Sequence, residues 1–239
     1  MKQALSLPCA ALAAMLTLAG CSSAPKPPDP RMVADVDPIP LGGVSMEFDK
    51  FLSSELDKKD VEVSFDPRIN AVSLYFSYQG VKYTQYWDKP NRETFTSALT
   101  QYKNAYTAQN LSRNNFKTPS AYGKITGMTM WWTFSFATKS QSYPRVEIGY
   151  LLKKNKSTGK ENPYFTVLQR EAVDALNESE SSKKSSLQIR TYFTISQAEE
   201  LAAFFDETFL LDALRKTLNT SNIPDETLNP SVDFDSYGE

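Results

Sequence analysis

Residues 122–138, YGKITGMTMWWTFSFAT, place Met128, Met130, Trp132, Phe134 and Phe136 in alternation with Thr129, Trp131, Thr133 and Ser135. A period of two is the mark of a strand, because successive side chains leave opposite faces of a sheet. On this pattern the Met/Trp132/Phe side is the core face, and Trp131 stands on the other side among threonines. If helices cover both faces, Trp131 is core. If one face is open, Trp131 is a candidate ligand platform, since exposed aromatic rings suit sugars and peptides.

Further strands are expected on both sides of this one. Downstream they fall at 145–153, 164–173 and 187–194, the first two flanking the polar loop KKNKSTGKEN. Upstream they fall at 61–65, 71–78 and 81–87, the last two joined as a hairpin around Gln79-Gly80. Asp88 or Asn91 caps a helix running to about Asn110 that buries Phe95, Leu99, Tyr102 and Tyr106. Ser196 and Glu199 match a capping box opening a second long helix with Leu201, Phe205 and Phe209 on one face. The spacing of Val44, Phe48, Phe51, Leu52 and Leu56 predicts a short N-terminal helix. The expected fold is α+β, an antiparallel sheet of about six to seven strands with two long helices and one short N-terminal helix packed on it. The strand-to-helix joins YWDKPNRETFTSAL and YFTISQAEELAAF look alike, which raises an internal duplication with halves 42–111 and 120–221. Residues 42–221 read as one globular domain. Residues 222–239, with five acids and no base, read as a disordered acidic tail.

At the other end of the chain, Lys2 precedes an apolar segment, 4–18, interrupted by Ser6, Pro8 and Thr17. A charged end, an apolar run and small residues make the plan of a signal peptide, and the run is short of the roughly 20 residues that span a bilayer. The run ends at Leu18-Ala19-Gly20-Cys21, which resembles the lipobox of bacterial lipoproteins. The resemblance implies a diacylglycerol thioether on Cys21, cleavage between Gly20 and Cys21, and N-acylation of the new terminus. Ala19 and Gly20 offer little bulk to a protease cleft, and a cysteine sulfur is the nucleophile suited to thioether formation. Each buried CH₂ of an acyl chain contributes about 0.8 kcal/mol, so two or three chains anchor firmly. Pro25, Pro27, Pro28, Pro30, Pro38 and Pro40 make residues 21–41 an extended tether reaching some 60 Å. Ser22, where an aspartate would retain a lipoprotein at the inner membrane in the enteric pattern, favours an outer-membrane location in a cell envelope that has an outer membrane.

Removal of residues 1–20 leaves 25 basic against 28 acidic residues, a mild excess of acid that argues against a nucleic-acid partner. With Cys9 removed and Cys21 lipidated, no thiol remains for a disulfide, a metal or a nucleophile. The chain contains no histidine. That excludes Ser-His-Asp and Cys-His arrangements and the usual zinc-hydrolase sites. No phosphate loop or dinucleotide motif occurs. The sequence therefore assigns no catalytic residue, cofactor or metal. Ser157-Thr158-Gly159-Lys160 and Ser181-Ser182-Lys183-Lys184 match SxxK but sit in polar loops. Glu147 and Glu171 are the candidate carboxylates for glycan hydrolysis. Lys153, Lys154, Lys156 and Lys160 suit either a solvated hairpin tip or contact with anionic lipid or glycan. The reading is a lipoprotein whose domain binds or scaffolds. Its partners are the membrane, through the acyl chains, and an envelope protein or glycan; the alternative is a carboxylate-pair hydrolase of envelope glycan.

Overall fold

Val44, Met46 and Phe48 are all buried at alternate positions of one strand, so the period of two rules the N-terminal segment as well. Phe48 had suggested a helix, but Pro38, Pro40, Gly42 and Gly43 in front of it oppose one. Gly42 adopts φ +139°, a conformation open to glycine, where the register between the first two strands shifts. The expected short helix does not form. Val44 and Phe48 lie on β1 (Ile39–Asp49) and Leu56 on β2 (Leu56–Asp66), while Phe51 and Leu52 fall outside the described residues.

The computed structural model describes residues 29–50, 55–114, 117–133, 139–154, 159–176 and 184–218. After β2 come β3 (Ala71–Tyr78), β4 (Val81–Asp88) and α1 (Lys89–Thr107). Then follow β5 (Gly123–Thr126), β6 (Met128–Thr133), β7 (Ser140–Ser142), β8 (Arg145–Lys154) and β9 (Glu161–Gln169). A small ribbon of β10 (Ala172–Val173) and β11 (Ser185–Ser186) precedes β12 (Ile189–Phe193), α2 (Ile195–Phe204) and α3 (Glu207–Thr217). The expectation of six to seven strands under two long helices is overturned. One antiparallel sheet holds ten strands in the order β5-β8-β9-β12-β1-β2-β3-β4-β6-β7, and the helices have 19, 10 and 11 residues.

The two ends of that sheet are one bent hairpin. Gly123↔Ile148, Thr126↔Arg145, Thr129↔Ser142 and Trp131↔Ser140 share a single register that passes through the bond from Gly127 N–H to Pro144 O. Before the bend this hairpin pairs with β9 through β8. After it, the hairpin pairs with β4 through β6. The sheet therefore curls until the chain itself joins its ends, and among the described residues the strand edges left there are those of the short β5 and β7.

Helix α1 fills the curl. Asp88 caps it by accepting from Asn91 N–H at 3.1 Å, and Pro90 occupies the first turn, where its missing amide does no harm. Its buried side, Phe95, Ala98, Leu99 and Tyr102, meets Trp87 of β4, Phe165 of β9, Phe193 of β12 and Phe205 beyond α2. The hairpin at Gln79-Gly80 forms as the sequence indicates, with both residues at positive φ as a two-residue turn requires. The second capping box is two residues earlier than expected: Thr194 and Gln197 cap each other's backbone. The long second helix breaks in two because Asp206 accepts from Phe209 N–H and starts α3 afresh.

No duplication is found among the described residues. The two strand-to-helix joins share a local cap, but four hairpin-connected strands lead to α1, and a bent hairpin with four further strands of the main sheet or ribbon leads to α2. Residues 32–38 lie against the domain rather than extending from it: Val33, Ala34 and Val36 pack on the core, and Arg68 pairs with Asp35 and Asp37 at 2.7 and 2.9 Å. The acidic segment 222–239 lies outside the described residues.

Candidate ligand groove

On β6 the face assignment is inverted. Thr129 and Trp131 are buried inside the curl, whereas Met128, Met130 and Trp132 lie half-buried on the outside. Trp131, the candidate platform, is 6 % exposed and belongs to the core. The bulkier side chains are on the outer face because they pack there on β3 and β4. Trp132 stacks on Tyr75 with centroids 5.9 Å apart, Lys139 stands 5.5 Å over the Trp132 ring, and Met130 Sδ accepts from Tyr86 Oη. Phe134 and Phe136 fall outside the described residues.

The inside of the curl leaves little room. Gln169 joins Gln85 and Thr129 by hydrogen bonds of 2.8 Å each, and the cavity beside them measures about 10 Å³, enough for one water at most. A larger space lies on the outside, between α1 and the start of α3. This groove of about 510 Å³ is lined by Lys89, Arg92, Glu93, Thr96, Ser97 and Thr100 of α1 and by Ala202, Phe205, Asp206 and Glu207 across from them.

Helical spacing aligns Glu93, Thr96, Ser97 and Thr100 on the solvent side of α1. Thr96 and Thr100 donate to the carbonyls of Arg92 and Thr96 at 3.1 and 3.0 Å, which turns their lone pairs outward. Arg92 makes the floor. Its guanidinium is 2 % exposed and donates to Asn70 O, Asn70 Oδ1, Trp87 O and Glu207 Oε2 at 2.8 to 3.2 Å. Burial lowers its pKa, and Glu207 pushes it back. Lys103 and Glu199 form an ion pair that ties α1 to α2. The groove thus offers hydroxyl acceptors and charges of both signs above an apolar strip.

The other candidate residues are placed elsewhere. Glu147 lies on β8 facing away from the helices, 5 % exposed at its side chain, with Arg145 at 2.5 Å and Arg170 at 2.8 Å. Burial acts to raise its pKa, but hydrogen bonds from Arg170 and Arg145 outweigh burial and hold it below the ordinary 4.5. A carboxylate held ionised in this way is no proton donor at neutral pH. Glu171 is exposed and follows Arg170 directly in the chain. Lys153 donates to Asp49 at 3.0 Å and stands 4.5 Å over Tyr192, while Lys154 ends β8. Lys156, Ser157, Ser181 and Lys183 fall outside the described residues, as do Gly20 and Cys21. Among the described residues no cluster of three or more acids, cysteines or histidines suits a metal.

The clamp on Glu147 has a measurable consequence. A depressed folded-state pKa contributes stability that is present above the unfolded value and lost as pH falls through the folded one. Urea midpoints are expected to fall below about pH 4.5, and the fall should be smaller in Glu147→Gln. At neutral pH that substitution should cost on the order of 1 to 2 kcal/mol, because charge-assisted bonds are lost from a buried site. Parallel pH curves for the two proteins would show that the clamp does not contribute.

Fold and groove together define a mostly-β domain, a curled antiparallel sheet plugged by a long helix, with a groove on its surface. The chain belongs to the family described as "Uncharacterised Treponema protein", which matches residues 38–212. It is also similar to a protein of Treponema pallidum (strain Nichols) described as "Uncharacterized protein", at 24 % identity over 136 residues. The match covers 57 % of this chain and 47 % of the relative, so the chain spans about half the length of that protein. No solved structure matches. No helix among the described residues is long and apolar enough to cross a membrane.

Proposed function

We infer that this is an envelope lipoprotein, anchored through lipid on Cys21, whose domain is a binding or scaffolding module. The border Leu18-Ala19-Gly20-Cys21, followed at once by serines and prolines, carries the reading. The outer membrane is the favoured location, and the partner is an envelope protein or glycan held in the groove over α1. The groove supports binding over hydrolysis because two of its three acids hold the structure together. Asp206 caps α3, and Glu207 accepts from Arg92.

Cys21→Ala is expected to leave an unprocessed precursor that takes up no fatty-acid probe, and normal labelling of that variant would overturn the anchor. For the groove, a photo-crosslinking side chain at Ser97 should capture an envelope component in cells, whereas one at Gln79, on the distant hairpin, should not. Equal capture at both sites would remove the groove from the reading.

A further inference from the structure

Six large apolar side chains are well exposed among the described residues, and four of them share one end of the curled sheet. These are Tyr143 (55 %), Val173 (52 %), Leu176 (56 %) and Leu187 (39 %). The loops that carry them are bonded to one another. Ala175 N–H donates to Gln141 O at 2.6 Å, Gln141 N–H to Asp174 Oδ1 at 3.1 Å, and Gln141 Nε2 to Tyr143 Oη at 2.5 Å. Val173 pairs with Ser185 next to the strand that leads to Leu187, whose carbonyl accepts from Gln169 Nε2 at 3.5 Å. An exposed apolar cluster fixed on short, cross-linked loops is a surface built to be covered.

One observation indicates what covers it: the place where the chain leaves the domain. Val33 N–H donates to Pro67 O in the β2–β3 turn, and that turn sits at the end of the sheet where β4 finishes and β6 begins. The bond to Asp29 favours the protonated form of Arg31, and the nearby carboxylate of Asp88 adds to it; Tyr143 also lies in its vicinity. The described chain begins at Asp29, so residues 21–28 separate Cys21 from this end. Eight residues in an extended form reach about 25 Å, too little to carry the anchor round to the far end of the sheet.

The geometry points to the Tyr143–Val173–Leu176–Leu187 end as the face that the domain turns to a lipid bilayer. This rests on the lipid anchor at Cys21. Aliphatic and tyrosine side chains enter the headgroup region. The anchor supplies attachment, and this end sets orientation.

The test uses the full processed chain reconstituted in vesicles of phosphatidylethanolamine and phosphatidylglycerol. Leu176→Cys and Gln79→Cys each carry an environment-sensitive fluorophore, and unchanged thermal melting shows that both variants are folded. The probe at 176 is expected to be blue-shifted and quenched by a doxyl-labelled lipid several-fold more strongly than the probe at 79. Equal quenching at both positions overturns the proposal, and so does shielding of 176 from lipid and aqueous quenchers alike, which would mean cover by protein. Fatty-acid labelling of the same sample separates the two readings. Labelled protein with an unquenched 176 keeps the anchor and rejects the face, while unlabelled protein with a quenched 176 rejects the anchor and keeps the face.

Discussion

Gly149→Ala is expected to destabilise the domain by about 3 kcal/mol or more, the upper range for overpacking, although it adds one methyl group. Gly149 lies mid-strand on β8, opposite Thr166 of β9, and the turn Thr118–Ser120 crosses directly over it. A Cβ at this position would stand 1.9 Å from Thr118 O and 2.7 Å from the Pro119 carbonyl carbon. Both are main-chain atoms, so no side-chain rotation relieves the overlap. Either β8 moves or the turn lifts. The second outcome would disturb Tyr122, whose N–H bonds Ile148 O at 3.0 Å just before β5. Urea unfolding measures the loss. A change below about 0.5 kcal/mol, the range of ordinary surface substitutions, would show that the turn does not rest on the strand.

Phe95→Ala should remove about 3 to 5 kcal/mol, a large share of the 5 to 15 kcal/mol that holds a typical domain together. The ring is fully buried and meets Trp87, Phe165, Phe193 and Phe205 at centroid distances of 5.1 to 6.2 Å, each nearly perpendicular. Edge-to-face contacts of this kind add to the area term, and the four partners come from different parts of the chain. The same side chain therefore fixes α1 to both sides of the curl. Phe95→Leu keeps most of the volume and should lose roughly half as much. If the alanine variant unfolds with a loss under about 1.5 kcal/mol, α1 is not the plug described here.

What could be read from the sequence was local. The cap at Asp88 and the turn at Gln79-Gly80 depend on residues a few positions apart, and both were legible. The N-terminal strand is ambiguous in the sequence because Val44 and Phe48 fit a spacing of four as well as of two, and the burial of Met46 between them decides for two. The inverted face of β6 has a different cause. Hydrophobic content cannot tell inside from outside when the outer face carries its own packed layer, as Trp132 and Tyr75 do. Gly127 and Pro144, each interrupting a long strand, were signals of a bend, yet the pairing that makes the bend close a sheet is long-range. The groove was hidden for the same reason. Thr96, Ser97 and Thr100 look like any polar helix face until α3 is set opposite them, and Arg92 gives no local sign of being buried.

Glu47 pairs with Tyr192 and Phe48 with Thr191, so the first strand of the sheet waits for the last. A nascent chain that stops short of β12 leaves β1 and β9 as two open edges, and nothing earlier in the sequence can stand in for the missing strand. Contacts this distant slow folding to the millisecond-to-second range, because a long loop must be ordered before any pairing rewards it. Order of delivery thus becomes a property of the architecture: the polypeptide stays threadable until its final fifth has arrived, and then completes its sheet in one step.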